Sequence, residues 1–332
     1  MPSGSGQLLK AIAMIKRIAF VAGQGYGKYN YRINGRYMKM TRMGLFKKIG
    51  ISLFLCFLMV AGSQARDDDG VRARVWGGTV LKADLDGHSG GYGVVNSGVS
   101  LGWRWFTLTY NNNHYSWNNV DRLPLGDKRS DPWDSLNNLD FDATFDGNFT
   151  RNLGWFAGAN VYSGWEKDIS DSFGAGGRLG ISYKLGQNWR LRLGAFLFYH
   201  PIGVQGWPIV GLSWQPPGSE KQGLSFSIGS PATMVQYRFT PVVALRAGAH
   251  YQYGVYRLAN DSAVYEQGYV MPRSVVAGLY VDVTPLQGLS LVAGVEGNLW
   301  RDIALYDDDG DKVEDWDVDS AMGFVLRLNY GF

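Results

Sequence analysis

Cysteine is almost missing from this chain, with Cys56 the single example in 332 residues. One cysteine cannot form a disulfide framework or a thiolate metal centre, and because it lies in the N-terminal leader, cleavage after Ala65 is expected to leave no thiol chemistry. Histidine is nearly as scarce, and His88, His114, His200 and His250 never fall at metal-ligand spacing. Mean hydropathy is −0.15, so the chain cannot be a bundle of membrane helices, each needing an apolar run of about 20 residues. Acidic residues are wholly missing from positions 1–65, which hold ten of the 32 basic residues; positions 66–332 then carry 22 basic residues against 29 acidic ones. The pI of about 8.8 therefore belongs to the leader and not to a nucleic-acid surface, which would need a basic, aromatic-interleaved patch in the rest of the chain. What the sequence does have is 45 glycines without a three-residue period and 14% aromatics, which excludes collagen and ordinary disorder.

The segment Met43 to Ala65 has the three parts of a secretory signal peptide. Lys47 and Lys48 form its basic start, Ile49 to Ala61 its apolar run, and Ser63-Gln64-Ala65 its small-x-small cleavage site. The apolar run is about 13 residues, short for a spanning helix, and the acidic Asp67-Asp68-Asp69 beyond it does not resemble a stop-transfer flank. Residues 1–42 precede an already complete signal. They read as an upstream extension of the frame, with Met43 the expected start and 66–332 a single mature domain.

From residue 71 onward apolar and polar residues alternate with period two, in blocks of about 10 to 14 residues. Leu191, Leu193, Ala195, Leu197 and Tyr199 oppose Arg190, Arg192, Gly194, Phe196 and Phe198. The same pattern sets Leu139, Phe141, Ala143 and Phe145 against Asp140, Asp142, Thr144 and Asp146. Tight turns such as Gly186-Gln187-Asn188 and Pro285-Leu286-Gln287-Gly288 alternate with long polar connections at 118–136, 257–271 and 302–320. Tryptophans gather near strand ends (Trp103, Trp105, Trp155, Trp165, Trp189, Trp207, Trp214, Trp300), which suits two interfacial girdles. The pattern predicts an all-β fold: a transmembrane, up-and-down antiparallel β-barrel with short periplasmic turns and longer outer loops. A soluble β-sandwich also alternates, but it buries its apolar faces and shows fewer surface aromatics.

Fourteen strands are expected, near 71–83, 91–102, 104–117, 138–150, 153–166, 173–184, 188–201, 207–215, 223–229, 233–239, 242–256, 273–284, 288–301 and 321–332. The pair 223–229 and 233–239 is short, and the count falls to twelve if it does not cross independently. Either number is even and puts both ends of the barrel in the periplasm.

The last strand carries Phe324, Leu326, Leu328, Tyr330 and terminal Phe332 on one face. It resembles the closing strand of Gram-negative outer-membrane proteins. That resemblance implies recognition by the barrel-assembly machinery and a place among outer-membrane lipid and lipopolysaccharide. More widely, Ile209-Val-Gly-Leu-Ser-Trp214, Val235-Gln-Tyr-Arg-Phe-Thr-Pro241, Tyr253-Gly-Val-Tyr-Arg-Leu258 and Trp300-Arg301 resemble a group of uncharacterised outer-membrane barrels. The resemblance covers most of 71–332 and implies fold and compartment, with no activity attached.

If the apolar faces meet lipid, Asp140, Asp142, Asp146, Arg178, Lys184, Arg190, Arg192, Arg246, Glu296 and Arg327 face the lumen. There they either line an ion-conducting pore or cross-link into pairs that close it; no segment after the signal reads as a plug. His114-Tyr115-Ser116 invites a lipid-hydrolase reading, but no Gly-x-Ser-x-Gly elbow supports it. The expectation is a non-enzymatic, porin-like solute barrel without a resident cofactor. The alternative is a closed barrel acting through its outer loops. Finally, Asp307, Asp309 and Asp311 sit in a loop of eight carboxylates and suggest a weak Ca²⁺ site, although Gly310 and the lack of a bidentate Glu at the right distance depart from the EF-hand pattern.

Overall fold

A computed structural model describes residues 70–331 and, in a separate unit, two short strands, Arg32–Ile33 and Arg36–Tyr37, paired antiparallel. The signal peptide at 43–65, the cleavage site and Phe332 lie outside the described residues.

Alternation becomes wall because extended chain sends successive side chains to opposite faces. The barrel strands are β1 (Val71–Asp84), β2 (Gly91–Trp103), β3 (Phe106–Asn118), β4 (Ser135–Asn148), β5 (Leu153–Trp165), β6 (Phe173–Leu185) and β7 (Trp189–His200). They continue with β8 (Gly203–Trp214), β9 (Gly223–Ser230), β10 (Ala232–Arg238), β11 (Val243–Tyr253), β12 (Tyr269–Leu286), β13 (Leu289–Tyr306) and β14 (Ala321–Gly331). Each pairs antiparallel with the next, and β14 returns to β1 from Gly323 opposite Val80 to Gly331 opposite Arg72. The result is a closed ring of fourteen strands. The short pair β9–β10 counts as two staves, because β9 pairs with β8 and β10 pairs with β11 across Ala232–Arg238.

The faces sort as alternation requires. Leu108, Phe141, Val161, Leu179, Leu197, Leu245, Leu279, Phe324 and Leu326 are exposed on the outside, with Leu179 67% exposed. A band like that suits hydrocarbon and would be untenable in water. Trp103, Trp105 and Trp300 stand out at its margins, 50%, 54% and 77% exposed. Trp300 owes this to a bulge: its φ is +45°, and the β12–β13 register slips beside it. Trp207 departs from the expected girdle. It shares the inward row of Phe196 and Phe198 and packs within the barrel.

Long connections (119–134, 254–268, 307–320) share one end of the barrel, and short ones (104–105, 149–152, 186–188, 287–288) share the other. β12 and β13 run further than the sequence predicts, to 18 residues each, and Lys312–Val318 adds a further antiparallel arm on β13. The expected acidic loop is thus largely a hairpin. Its cause is the apolar row Ile303, Leu305 and Val318, which alternates with the acids and is 0–5% exposed.

Candidate functional site: the lumen and its roof

Inside the wall, charges meet across neighbouring strands. On the β4–β6 side, Arg178 grips the Asp142 carboxylate with two N–H groups at 2.8 and 2.9 Å, and Asn160 donates to Asp140 at 2.9 Å. Gly158 makes this possible: a Cβ there would sit 2.7 Å from Arg178 Nε. On the opposite side a chain of contacts spans β11 to β14. Arg246 bonds Asp282 at 3.0 Å, while the Tyr280 hydroxyl and Arg327 both donate to Glu296 Oε1, at 2.9 and 3.2 Å. The Arg246 and Arg327 guanidinium groups lie 4.8 and 5.6 Å from the Tyr280 ring, and Gly294 leaves that ring its room. Asp146, Lys184, Arg190 and Arg192 stand on the inward rows near the short-turn end. Arg192 lies over the Phe156 ring at 5.6 Å.

Sequence reasoning missed Asp282, Arg273, Asp302, Arg72 and Arg74. Arg273 Nε bonds Asp302 at 2.7 Å; the alternation starts a strand at Arg273 but puts Asp302 in a loop. Arg72 and Arg74 alternate with Val71, Ala73 and Val75 at the start of β1, and that period was the signal for them.

At the long-loop end the lumen is roofed, contrary to the expectation that nothing after the signal would plug it. Two loops turn inward. The 119–134 loop contributes Leu123, Leu125 and Trp133, each at most 3% exposed, to a core with Tyr92, Tyr115 and Trp117. Trp117 Nε1 donates to the Trp133 carbonyl at 2.8 Å, and the two indoles meet edge to face at 5.0 Å. The tip of that loop is stapled by Asp127, whose carboxylate accepts the Ser130 hydroxyl at 2.7 Å and the Ser130 and Arg129 backbone N–H groups at 2.8 Å. These bonds, led by the Ser130 hydroxyl, lower the Asp127 pKa from 3.8 to about 2. A depressed acid stabilises above its ordinary pKa and loses that contribution as pH falls through the folded value. Proteolysis within 126–131 should therefore accelerate between pH 4 and about 2 in the wild type, and Asp127→Asn should show the faster rate at neutral pH without that pH step.

The second loop crosses the mouth. Its Tyr256–Arg257 segment pairs with Val270 and Tyr269 of β12, and Arg257 also pairs with Trp165 of β5. β5 and β12 are seven strands apart either way round the ring of fourteen, so this strut spans a diameter. Glu166 N–H donates to the Arg257 carbonyl at 2.9 Å, Ala259 N–H to the Glu166 carboxylate at 2.8 Å, and Asn113 to the Tyr256 hydroxyl at 3.2 Å. One side of the strut joins the Trp117–Trp133 core. The other joins a second core of Phe198, Val255, Tyr269 and Met271.

Beneath the roof lies a cavity of about 90 Å³, lined by Asn96, Asn113, Gln252, Glu296, Asn298 and Arg301 among others. At the short-turn end a second cavity of about 570 Å³ opens between β1, β2, β3 and β14. The wall also has a notch. Gly203–Ile209 of β8 pairs with β7 on one side, while β9 begins its pairing only at Val210. Above that point Trp207 meets Tyr251 and Tyr253 of β11 at 6.0 and 5.3 Å, closing the gap with aromatic rings instead of backbone hydrogen bonds.

His114 Nδ1 approaches the Ser135 hydroxyl at 3.2 Å. Among the described residues no three His, Cys, Asp or Glu side chains converge as a metal site. Asp307 accepts the Asp311 backbone N–H at 2.8 Å within the hairpin turn.

No protein-family model matches the chain, and no curated protein matches it in sequence. Among solved structures it is similar to the COG4313 outer membrane channel from Pseudomonas putida F1, at 12% identity and TM-score 0.39 over 82% of this chain and 98% of that one. It is also similar to the KdgM porin, at 8% identity and TM-score 0.33 over 78% and 99%. The P. putida toluene transporter TodX gives 12% identity and TM-score 0.33 over 80% and 90%. At those scores the likeness extends no further than barrel architecture, and what the lumen does has to be read from its own residues.

Proposed function

We propose that the chain is a porin-like solute channel of the outer membrane, with the long-loop end outermost and the short-turn end in the periplasm. Its work is passage of a solute, not chemistry on one. The observation that carries this reading is the interior below the roof. Deep in the lumen Arg178, Arg246 and Arg327 pair with carboxylates on neighbouring strands, and space is left as cavities with polar groups on their walls instead of being filled with apolar side chains. A barrel serving only as a scaffold gains from a dry, filled centre, because buried apolar area stabilises and polar cavities do not. A second reading, a closed barrel acting through its outer loops, is favoured by the strut across the mouth. In either case lipid, lipopolysaccharide and the barrel-assembly machinery are the expected surroundings.

Purified, heat-modifiable protein in planar bilayers separates the two. Discrete current steps, brief or sustained, are expected from the channel. Silence from the wild type and from a variant lacking the strut would overturn the channel in favour of the closed barrel.

A further inference from the structure

Six cationic side chains ring the interior at the short-turn end: Arg72 and Arg74 on β1, Lys184 on β6, Arg190 and Arg192 on β7, and Arg238 on β10. Deeper in the lumen Arg178, Arg246, Arg273 and Arg327 each have a carboxylate, in Asp142, Asp282, Asp302 and Glu296. The six do not. Among the described residues none of them has a carboxylate oxygen within 4.0 Å, and Asp146, near the same end of β4, pairs with none of them.

Their visible contacts are neutral. Arg72 donates to the Arg104 carbonyl at 3.1 Å, Arg74 to the Asn329 side-chain oxygen at 2.8 Å, and Arg238 to the Pro241 carbonyl at 3.3 Å. Arg74 also feels the repulsion of Arg72, Arg246 and Arg327. The cavity of about 570 Å³ that Arg72 and Arg74 face carries the hydroxyls of Ser100, Thr107 and Thr109 and the Asn329 amide on its walls. Guanidinium forks beside hydroxyl and amide donors are the groups that grip carboxylates and phosphates, and an anion would relieve the crowding of like charge. In a narrow low-dielectric mouth the same charges also concentrate anions from the surrounding water.

We infer that this vestibule is an oxyanion site, with Arg72 and Arg74 as its principal contacts, and that the solute carries carboxylate or phosphate groups. The substrate class rests on the channel reading; the site itself does not. Calorimetric titration of the detergent-solubilised barrel with citrate, and separately with inorganic pyrophosphate, should show saturable binding that weakens steeply with added KCl. Arg72→Gln/Arg74→Gln should bind about tenfold more weakly or worse, while Arg104→Gln, at a rim residue whose guanidinium lies over the Trp103 ring at 5.2 Å, should bind as the wild type does. Heat-modifiability shows that each variant folds. No binding by the wild type, or equal binding by the double variant, overturns the site. In bilayers under a KCl gradient the zero-current potential should favour Cl⁻, and the double variant should lose most of that preference. A barrel that binds citrate without ever conducting overturns the channel alone. One that conducts without anion preference or binding overturns the oxyanion site alone.

Discussion

Replacing residues 255–267 by a short Gly-Ser linker raises single-channel conductance about tenfold or more, through loss of the obstruction at the outer mouth. The segment contains Val255, Tyr256, Leu258 and Ala259, all at most 7% exposed. Burying a side chain the size of Val or Leu contributes roughly 1.5–3 kcal/mol, and each 1.4 kcal/mol is a factor of ten in population. Several such residues, with the Glu166–Arg257 backbone bond, hold the roof shut most of the time even after ordering entropy is subtracted. On the channel reading proposed above, the wild type then opens briefly and the variant stays open. The wall does not depend on the strut, because β11 and β12 pair directly from Val243–Val283 to Tyr253–Arg273. Heat-modifiability should be retained. An assembled variant with wild-type conductance would show that the strut is not what closes the mouth.

Val161→Lys lowers unfolding stability in a lipid bilayer by about 2–4 kcal/mol, whereas Asn160→Lys lowers it by less than about 1 kcal/mol. The two positions are adjacent on β5 and differ only in face. Val161 is 51% exposed on the apolar exterior, opposite Phe141 and Ala175, so an ammonium there must be drawn into hydrocarbon. Asn160 points inward and already donates to Asp140 at 2.9 Å, so a lysine meets a carboxylate in a wet lumen. Reversible urea unfolding in large vesicles, followed by tryptophan fluorescence, measures both. Equal losses would mean that the exterior band does not lie in the bilayer.

The wall was legible in the sequence and the roof was not, for the same physical reason. Period two is a local property: Leu193 against Arg192, or Leu326 against Arg327, declares a face without knowledge of any other strand. All fourteen strands lie where alternation puts them, and the twelve-or-fourteen ambiguity closed only with the register of β9 and β10. Leu123, Leu125 and Trp133 sit in a segment rich in Pro, Gly, Asp and Ser, with no period to betray their burial. Their partners Tyr92 and Trp117 come from β2 and β3. Arg257 is similarly set by Trp165 of β5, across the full width of the ring. Trp207 departs from the expectation because a strand-end tryptophan suits a girdle equally well. Its inward direction follows from pairing opposite Phe196, which alternation alone does not number.

The unequal height of the wall has a consequence for the membrane around it. β9 has eight residues and β10 seven, while β12 and β13 have 18 each. Eight residues of extended chain reach roughly 26 Å, and a tilt of 35–45° brings that to about 20 Å, below the apolar height of about 25 Å typical of such barrels. On that flank the acyl chains must shorten or the barrel must lean, whereas the β12–β13 flank imposes no such demand. The protein is therefore a wedge in its bilayer. Hydrophobic mismatch costs a fraction of a kcal/mol per Å, enough to gather thin or disordered lipid on one side and to bias which neighbours share that side. Orientation in the membrane plane, and not only depth, is thus written into the length of one hairpin.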